Sequence, residues 1–211
     1  MISKLFSLRF LLFITHFVIW GLWSVPEINA QAAAREKEEM LFGLTASQIG
    51  YGSILAYHAN KTFSVSYSYY ISSVKTQYIK KEETTTIPEL MIFPFQKYNT
   101  FFSFGLGNAK KEWDVDFCDI NTEISSLSDT DDCNVTFKWP STMTTYSLGV
   151  LWTIKKTKAT GGISIRQYNY GKASVSGDNQ SAVLFAEETF ADEANDASSG
   201  TTLSVTVGYA F

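Results

Sequence analysis

Residues 203–211, LSVTVGYAF, alternate between two kinds of side chain. A period of two puts these two sets on opposite faces of a β-strand. A soluble sheet would bury the apolar face in a core, whereas a membrane barrel would turn it outward to lipid. The even positions hold only Ser, Thr, Gly or Ala, and the odd positions hold Leu203, Val205, Val207, Tyr209 and Phe211.

The first 32 residues favour export of the chain. Lys4 and Arg9 precede an apolar stretch of about 14 residues, FLLFITHFVIWGLW. That length suits the core of a signal peptide and is shorter than the ~20 residues of a membrane-spanning helix. Ala30-Gln31-Ala32 fits the small-x-small cleavage pattern. We therefore predict a signal peptide over residues 1–32, cleaved after Ala30 or Ala32, and no membrane-spanning helix after it.

Strand-like alternation continues along the mature chain, and no later segment shows a helical period. The clearest case is a hairpin over residues 49–72, in which Ser, Gly and Ala oppose Ile, Leu, Val, Phe and Tyr. Polar stretches are interpreted as long loops at 75–86, 109–139 and 176–200, and short turns are predicted at 58–61, 96–99 and 155–159. Pro88 and Pro94 are expected at strand ends or a bulge, because proline cannot donate to a ladder.

Two patterns favour a membrane barrel over a sandwich. Short turns and long loops alternate, as they do in barrels with short periplasmic turns and long extracellular loops. The polar strand faces carry Ser, Thr and Gly with hardly any Lys or Glu. Small polar side chains suit the crowded lumen of a narrow barrel, whereas a solvated sheet face would be charged. We therefore predict an all-β, antiparallel, up-and-down transmembrane barrel with the apolar faces outward.

The chain thus resembles the small outer-membrane β-barrels of Gram-negative bacteria, of the OmpA/OmpX-like and opacity-protein type. The resemblance rests on the terminal strand with Phe211 and on the hairpin of residues 49–72. It implies an outer-membrane location, contact with lipid and lipopolysaccharide, and residues 33–38 as a short periplasmic segment before a barrel over 39–211. It also implies that Phe211, Tyr209 and Val207 form the signal read by the outer-membrane assembly machinery.

The number of strands is less plain than the class of fold. Counting back from Phe211 gives seven strands, and bacterial single-chain barrels normally have an even number. Residues 38–47, EEMLFGLTAS, alternate over a short distance and supply an eighth strand with a stunted first hairpin. The alternative is one long strand across Met40–Tyr57.

Composition and motifs argue against catalysis and nucleic-acid binding. The full chain has 17 Lys and Arg against 21 Asp and Glu, and nucleic acid requires basic clusters. His58 is the one histidine outside the predicted signal peptide, and we interpret it as a solvated periplasmic turn residue. We expect a non-enzymatic barrel without cofactors that serves envelope structure, adhesion or binding of an unknown external ligand. The alternatives are a narrow pore or a conduit for small apolar molecules (OmpW-like) and, third, a lipid-modifying enzyme.

A few residues carry finer predictions. Cys118 and Cys133 are expected to form a disulfide in the oxidising envelope. Asp129, Asp131 and Asp132 could offer oxygens to Ca²⁺, although we interpret them as a solvated acidic loop.

Arg166 is expected to face the lumen, where its charge needs a carboxylate partner. Aromatic residues are expected to form interfacial girdles, an outer one of Trp113, Trp139, Tyr168 and Tyr170 and an inner one of Tyr57, Phe63, Phe95, Tyr98, Trp152 and Phe211.

Deletion of Phe211 tests the assembly signal. We expect export and signal-peptide cleavage to continue while the chain accumulates in the periplasm instead of the outer membrane. Phe211→Tyr should be milder than Phe211→Asp, although a charge near the interface costs only ~0–1 kcal/mol of folded stability. Normal outer-membrane levels of the deletion variant, measured by fractionation, would contradict this role.

Overall fold

The structure is a computed structural model that describes residues 35, 37, 39–47, 50–95, 99–117, 133–154 and 156–211. The predicted signal peptide lies outside these residues. Within them the chain forms ten strands and one helix. In chain order they are β1 (Met40–Ser47), β2 (Gly50–His58), β3 (Phe63–Lys75), β4 (Ile79–Ile92), β5 (Thr100–Asp116), β6 (Asn134–Lys138), β7 (Thr142–Thr153), β8 (Ala159–Asn169), β9 (Ser174–Gly177), α1 (Gln180–Asp196) and β10 (Ser199–Ala210).

Eight of the strands close into an antiparallel barrel in the order β1–β2–β3–β4–β5–β7–β8–β10. The barrel closes where β10 pairs with β1, from Leu41 opposite Ala210 to Ser47 opposite Ser204. The predicted eight strands and short first hairpin are confirmed. The alternative of one strand across Met40–Tyr57 is wrong, because the chain reverses between β1 and β2 with Ser47 opposite Gly50.

The outer surface of the barrel is apolar, as the alternation predicts. In β10, Val207 is 65% exposed while Ser204 is 2% exposed. A continuous exposed apolar belt of this kind suits lipid and would be costly in water. Other exposed members of the belt are Phe42, Leu44, Tyr51, Leu55, Tyr67, Leu90, Phe102, Phe104, Leu106, Tyr146, Leu148 and Ile165. Among the described residues, no helix is both long and apolar enough to cross a membrane.

The two ends of the barrel differ. The turn end carries three short connections, at residues 59–62, 93–99 and 154–158. The cap end carries β6, β9 and α1. It also has two short connections, between β1 and β2 and between β3 and β4. β6 extends the barrel wall by pairing with the end of β5, and β9 pairs with β6.

The prediction of a loop at 75–86 is wrong, because most of these residues form strands. Thr76 N donates to Ile79 O at 2.8 Å, which makes a tight turn between β3 and β4. The β3–β4 ladder is continuous to Lys75 opposite Lys80. Polar side chains suggested a loop here, but strands that rise above the apolar belt are solvated outside and keep their backbone pairing. The exposed ion pair of Lys80 with Glu82, at 3.0 Å, shows that solvated outer face.

The polar stretch at 176–200 is also not a loop, and the prediction that no later segment is helical is wrong. Residues 180–196 form α1, whose amino end is capped by Asn179: its side-chain oxygen accepts from Ser181 N and Ala182 N. Alanines at 182 and 186 lie one turn apart and are fully buried. Part of the stretch predicted as loop at 109–139 is strand as well, since β5 runs to Asp116 and β6 covers 134–138.

Pro88 lies inside β4 rather than at a strand end or bulge. The β4–β5 register is the same on both sides of it, with Thr86 opposite Asn108 and Glu89 opposite Gly105, so no residue is inserted. Pro88 costs one ladder bond without shifting the strands. Pro94 follows the end of β4, where it was expected.

The closing seam depends on two glycines that face each other, Gly43 and Gly208. A Cβ at Gly208 would lie 2.4 Å from the backbone oxygen of Phe42, so the strands would have to separate. A Cβ at Gly162, also on the inner face, would lie 3.0 Å from the side-chain Cδ1 of Leu151 and 3.3 Å from the backbone oxygen of Val150, which is a milder overlap.

Gly208→Ala should therefore destabilise the barrel by about 1–3 kcal/mol, the usual cost of overpacking. Gly162→Ala is the matched control and should cost less, because a side chain can move. The measurement is the fraction of unboiled protein with the fast-migrating folded form on a denaturing gel as urea is increased. Equal urea midpoints for the two variants would show that the seam tolerates a side chain.

Candidate functional site

The lumen of the barrel is the candidate site, and side chains fill it in layers. Near the turn end, Phe93 and Phe101 pack with their ring centroids 5.7 Å apart. A cavity of about 30 Å³ lies above them, between the floor and Arg166. That volume holds about one water molecule. The buried apolar residues of the floor are Leu41, Ala56, Met91, Phe93, Phe101 and Leu151.

Arg166, which points inward from β8, occupies the middle of the lumen. Its Nη2 donates to Glu89 Oε2 at 2.6 Å, and the two side chains are 5% and 3% exposed. Its Nη1 donates to the Tyr70 hydroxyl at 2.5 Å, and its Nε donates to Ser147 Oγ at 3.2 Å. The guanidinium thus bonds to three strands of the barrel, β3, β4 and β7.

The carboxylate side of this pair is satisfied as well. Glu89 Oε1 accepts from Ser103 Oγ at 3.2 Å and from Thr145 Oγ1 at 3.3 Å. A buried ion pair is retained without a net penalty only when its remaining atoms are hydrogen-bonded in this way. The network fixes β4 against β8 across the lumen and blocks the middle of the barrel.

Lys111 occupies the cap end of the lumen and lies inside a box of aromatic rings. Its Nζ is 4.6 Å from the ring centroid of Tyr170 and 4.8 Å from that of Trp139. Trp113 and Tyr168 are farther away, at 5.8 and 5.9 Å. An ammonium over aromatic faces is attracted by their quadrupoles, most strongly where water is excluded.

Two oxygens complete the surroundings of Lys111. Its Nζ donates to Ala197 O, just after α1, at 2.6 Å, and lies 4.0 Å from Glu83 Oε2. The Tyr170 hydroxyl donates to Glu83 Oε1. Burial lowers the pKa of Lys111 below its ordinary value, and the negative charge of Glu83 opposes this shift without cancelling it.

Arg35 closes the turn end. Its guanidinium carbon is 4.1 Å from the ring centroid of Phe93. Its Nε donates to Lys61 O at 3.3 Å and its Nη1 donates to Asn99 Oδ1 at 3.4 Å. Nη2 has no hydrogen-bond partner within the described part of the chain. Arg35 thus contacts the connections that follow β2 and β4.

The prediction of an outer aromatic girdle is wrong. Trp139 and Tyr170 are 3% and 2% exposed and face the lumen, where they surround Lys111 with Trp113 and Tyr168. These four positions lie beyond the apolar belt, where they continue the inward-facing sides of their strands. The inner set differs: Tyr57, Phe63, Phe95 and Phe211 are exposed at the turn end, as a girdle requires, and Tyr98 lies outside the described residues.

His58 is not a solvated turn residue. It is 5% exposed, ends β2, and its Nδ1 lies 2.6 Å from Ser64 Oγ. Its ring also packs edge-on against Phe93, with centroids 6.5 Å apart. The last inward position of β2 holds His58, so the prediction failed by placing it one residue beyond the strand.

The cysteines and the acidic loop fall at the edge of the described residues. Cys133 is 1% exposed, and its carbonyl oxygen accepts from Phe117 N at 3.3 Å. Phe117, the residue before Cys118 in the sequence, therefore lies beside Cys133, as a disulfide between the two cysteines would require. Cys118, Asp129, Asp131 and Asp132 themselves lie outside the described residues, so the disulfide and the calcium site stay predictions.

The residues expected to act in assembly lie on the outer face of the closing strand. Phe211 is 52% exposed and Tyr209 is 50% exposed, next to Val207. Phe211 N donates to Met40 O at 2.8 Å, and Met40 N donates to Phe211 O at 3.0 Å. These bonds complete the seam, and recognition by the assembly machinery stays a prediction.

The sequence analysis overlooked Lys111, Glu83 and Glu89 as lumen residues. Each has the parity of the inward face of its strand: Lys111 follows Phe101, Ser103 and Ala109 at even intervals along β5. Continuing the period of two beyond the predicted strand ends would have found them. No comparable signal marks Arg35, because it precedes the first strand.

These features define a closed, eight-stranded antiparallel barrel with an apolar outer belt and a filled lumen. The crystal structure of Acinetobacter baumannii CarO2 is similar in fold, with a TM-score of 0.53 at 12% identity, and the match covers 82% of this chain and 98% of CarO2. Acinetobacter baumannii CarO aligns with a TM-score of 0.49 at 13% identity over 81% of this chain and 97% of CarO. No family model and no curated protein sequence matches the chain.

The ion pair in the lumen can be tested by a double-mutant cycle. Arg166→Met and Glu89→Met should each lower the free energy of unfolding by about 3–5 kcal/mol, because each strands a buried charge. The double variant should lose less than the sum, since it leaves no charge unpaired. Urea unfolding in lipid vesicles, followed by tryptophan fluorescence, measures all three.

Lys110→Met is the control for the loss of a cation, because Lys110 pairs with Glu112 at 3.3 Å on the exposed face. It should cost at most about 1 kcal/mol. Additive losses in the cycle would mean that Arg166 and Glu89 stabilise the barrel independently.

Proposed function

We propose that this protein is a non-enzymatic outer-membrane barrel that presents its cap end to the outside and does not conduct. The single observation that carries the proposal is the filled lumen. Three layers obstruct it from end to end: Arg35 with the apolar floor, the Arg166–Glu89 network, and the Lys111 box. Between the floor and Arg166 the free space is about 30 Å³.

The two ends of the barrel support the orientation. Short turns at one end and a folded cap at the other are the pattern of barrels with periplasmic turns and external loops. The exposed surface of α1 is mostly polar and acidic: Glu187, Glu188, Asp192 and Glu193 are exposed, together with one large apolar side chain, Leu184. Such a surface is fitted to water and to contact with external molecules rather than to lipid. In this orientation the apolar belt contacts outer-membrane lipid.

The environment of His58 does not favour the lipid-modifying alternative. Ser64, the hydroxyl beside it, is 0% exposed and is therefore out of reach of a substrate. A base for hydrolysis is usually oriented by a third group. Within the described residues no carboxylate hydrogen-bonds to the imidazole, and its hydrogen-bond partner is Ser64.

Conductance in planar bilayers tests the proposal directly. We expect no resolved channel steps from the folded protein, because ions would have to displace packed side chains. Arg166→Ala combined with Glu89→Ala should also give no channel steps, because the apolar floor and the Lys111 box still obstruct the two ends of the lumen. Steady single-channel steps from the unaltered protein would favour the narrow-pore alternative instead.

The orientation is tested separately on intact cells. An epitope tag after Asp129 should be reachable by antibody, whereas a tag after Asn60, in a short turn, should be reached only after the outer membrane is permeabilised. The opposite labelling pattern would reverse the proposed orientation without bearing on conductance.

A further inference from the structure

A groove at the turn end lies beside the connection that joins β2 to β3. Its volume is about 490 Å³, whereas the cavity inside the lumen measures about 30 Å³. The larger volume is typical of sites for small molecules. The groove is lined by Glu39 before β1, by Tyr57 and Phe63 on the two strands, and by Ala59 and Lys61 in the connection. The rim of the barrel therefore offers a ligand more room than the lumen does.

Hydrogen bonds hold the walls of this groove in place. Asn60 N donates to Phe63 O at 3.2 Å, and Asn60 Oδ1 accepts from Thr62 N at 2.8 Å and from Phe63 N at 2.9 Å. His58 N donates to Glu39 O at 2.7 Å, which ties the residue before β1 to the end of β2. The groove is therefore formed before a ligand arrives, and this lowers the cost of ordering on binding.

The groove carries one acidic and one basic side chain. Glu39 is exposed, and none of the ion pairs among the described residues involves it. Lys61 is half-buried, and its carbonyl oxygen accepts from Arg35 Nε at 3.3 Å, which holds the backbone of the connection. A carboxylate and an ammonium in one groove complement a ligand that has both a cationic and an anionic group. The carboxylate of Glu39 would repel a ligand that is only anionic.

An apolar surface runs from this groove along the outside of the barrel. Tyr57 and Phe63 border the groove and are both exposed. Val65, which lies opposite Tyr57, continues the apolar surface away from the turn. Leu55 and Tyr67 face each other one step farther on, and both are exposed. A ligand in the groove can therefore place a charged head beside the turn and hydrocarbon chains against the belt.

We propose that this groove binds the headgroup of a phospholipid with a primary ammonium, as in phosphatidylethanolamine. Lys61 pairs with the phosphate, and Glu39 accepts charge-assisted hydrogen bonds from the ammonium. The acyl chains lie along the belt beside Tyr57 and Phe63, because aromatic side chains favour the level of the headgroups.

This site rests on the membrane location proposed above. It does not depend on the closed lumen or on which end of the barrel faces outward. Loss of lipid binding would therefore leave conductance and epitope labelling unaffected, and those two experiments test the proposed function separately.

Native mass spectrometry of the folded, full-length protein in detergent micelles tests the site. With dimyristoyl phosphatidylethanolamine and dimyristoyl phosphatidylglycerol at equal concentration, the first should be bound about threefold more or better. Glu39→Gln should remove this preference, and Lys61→Gln should weaken binding of both lipids by about threefold. Glu82→Gln is the matched control, because Glu82 is an exposed carboxylate at the cap end, and it should leave the preference unchanged.

A blocking variant separates the groove from the rest of the barrel surface. Ala59 is exposed and lines the groove, so Ala59→Trp should fill it and lower phosphatidylethanolamine binding without changing a charge. Each variant is first checked for the fast-migrating folded form on a denaturing gel. Three results would each overturn the proposal: equal binding of the two lipids by the unaltered protein, no effect of Glu39→Gln and Ala59→Trp, or displacement of the lipid by an equal concentration of inorganic phosphate.

Discussion

Closure of the backbone ladder is the constraint on which the rest of this structure depends. An apolar belt offers no water to backbone amides, so every strand must be paired on both edges. The β1–β10 seam provides the last pairing, from Leu41 opposite Ala210 to Ser47 opposite Ser204. At its centre the strands meet at Gly43 and Gly208, where a Cβ would strike the opposing backbone. The short first strand is therefore essential, even though it is the least obvious in the sequence.

Closure then creates a lumen too narrow for bulk water. Charged side chains that point into the lumen must therefore find partners there. The buried cations of the described residues are partnered in different ways. Arg166 has a carboxylate at 2.6 Å, Lys111 has a helix-end carbonyl at 2.6 Å and aromatic rings, and Arg35 has a ring at 4.1 Å and two longer hydrogen bonds. The middle layer is thus the most completely satisfied, and the two ends are held by fewer strong contacts.

Much of the barrel could be predicted because strand parity is a local property. The outward face of β10, the hairpin of β2 and β3, and the inward direction of Arg166 all follow from a period of two. The partner of Arg166 could not be predicted, because Glu89 meets it only through the register of strands on opposite sides of the lumen. Polarity was the misleading signal: it suggested loops at 75–86 and 176–200, where the chain forms strands above the lipid and the capped helix α1.

The central claim is that the strands turn an apolar face to lipid and a packed, dry face to the lumen. Spin labels placed singly at Ser66, Tyr67, Ser68 and Tyr69 in lipid vesicles test both halves at once. Tyr67 and Tyr69 are 52% and 40% exposed, so labels there should collide readily with oxygen dissolved in lipid. Labels at Ser66 and Ser68, which are 1% and 0% exposed, should be shielded from oxygen and from a water-soluble nickel chelate alike. Ready collision with the nickel chelate at the serine positions, or no alternation along β3, would contradict the account.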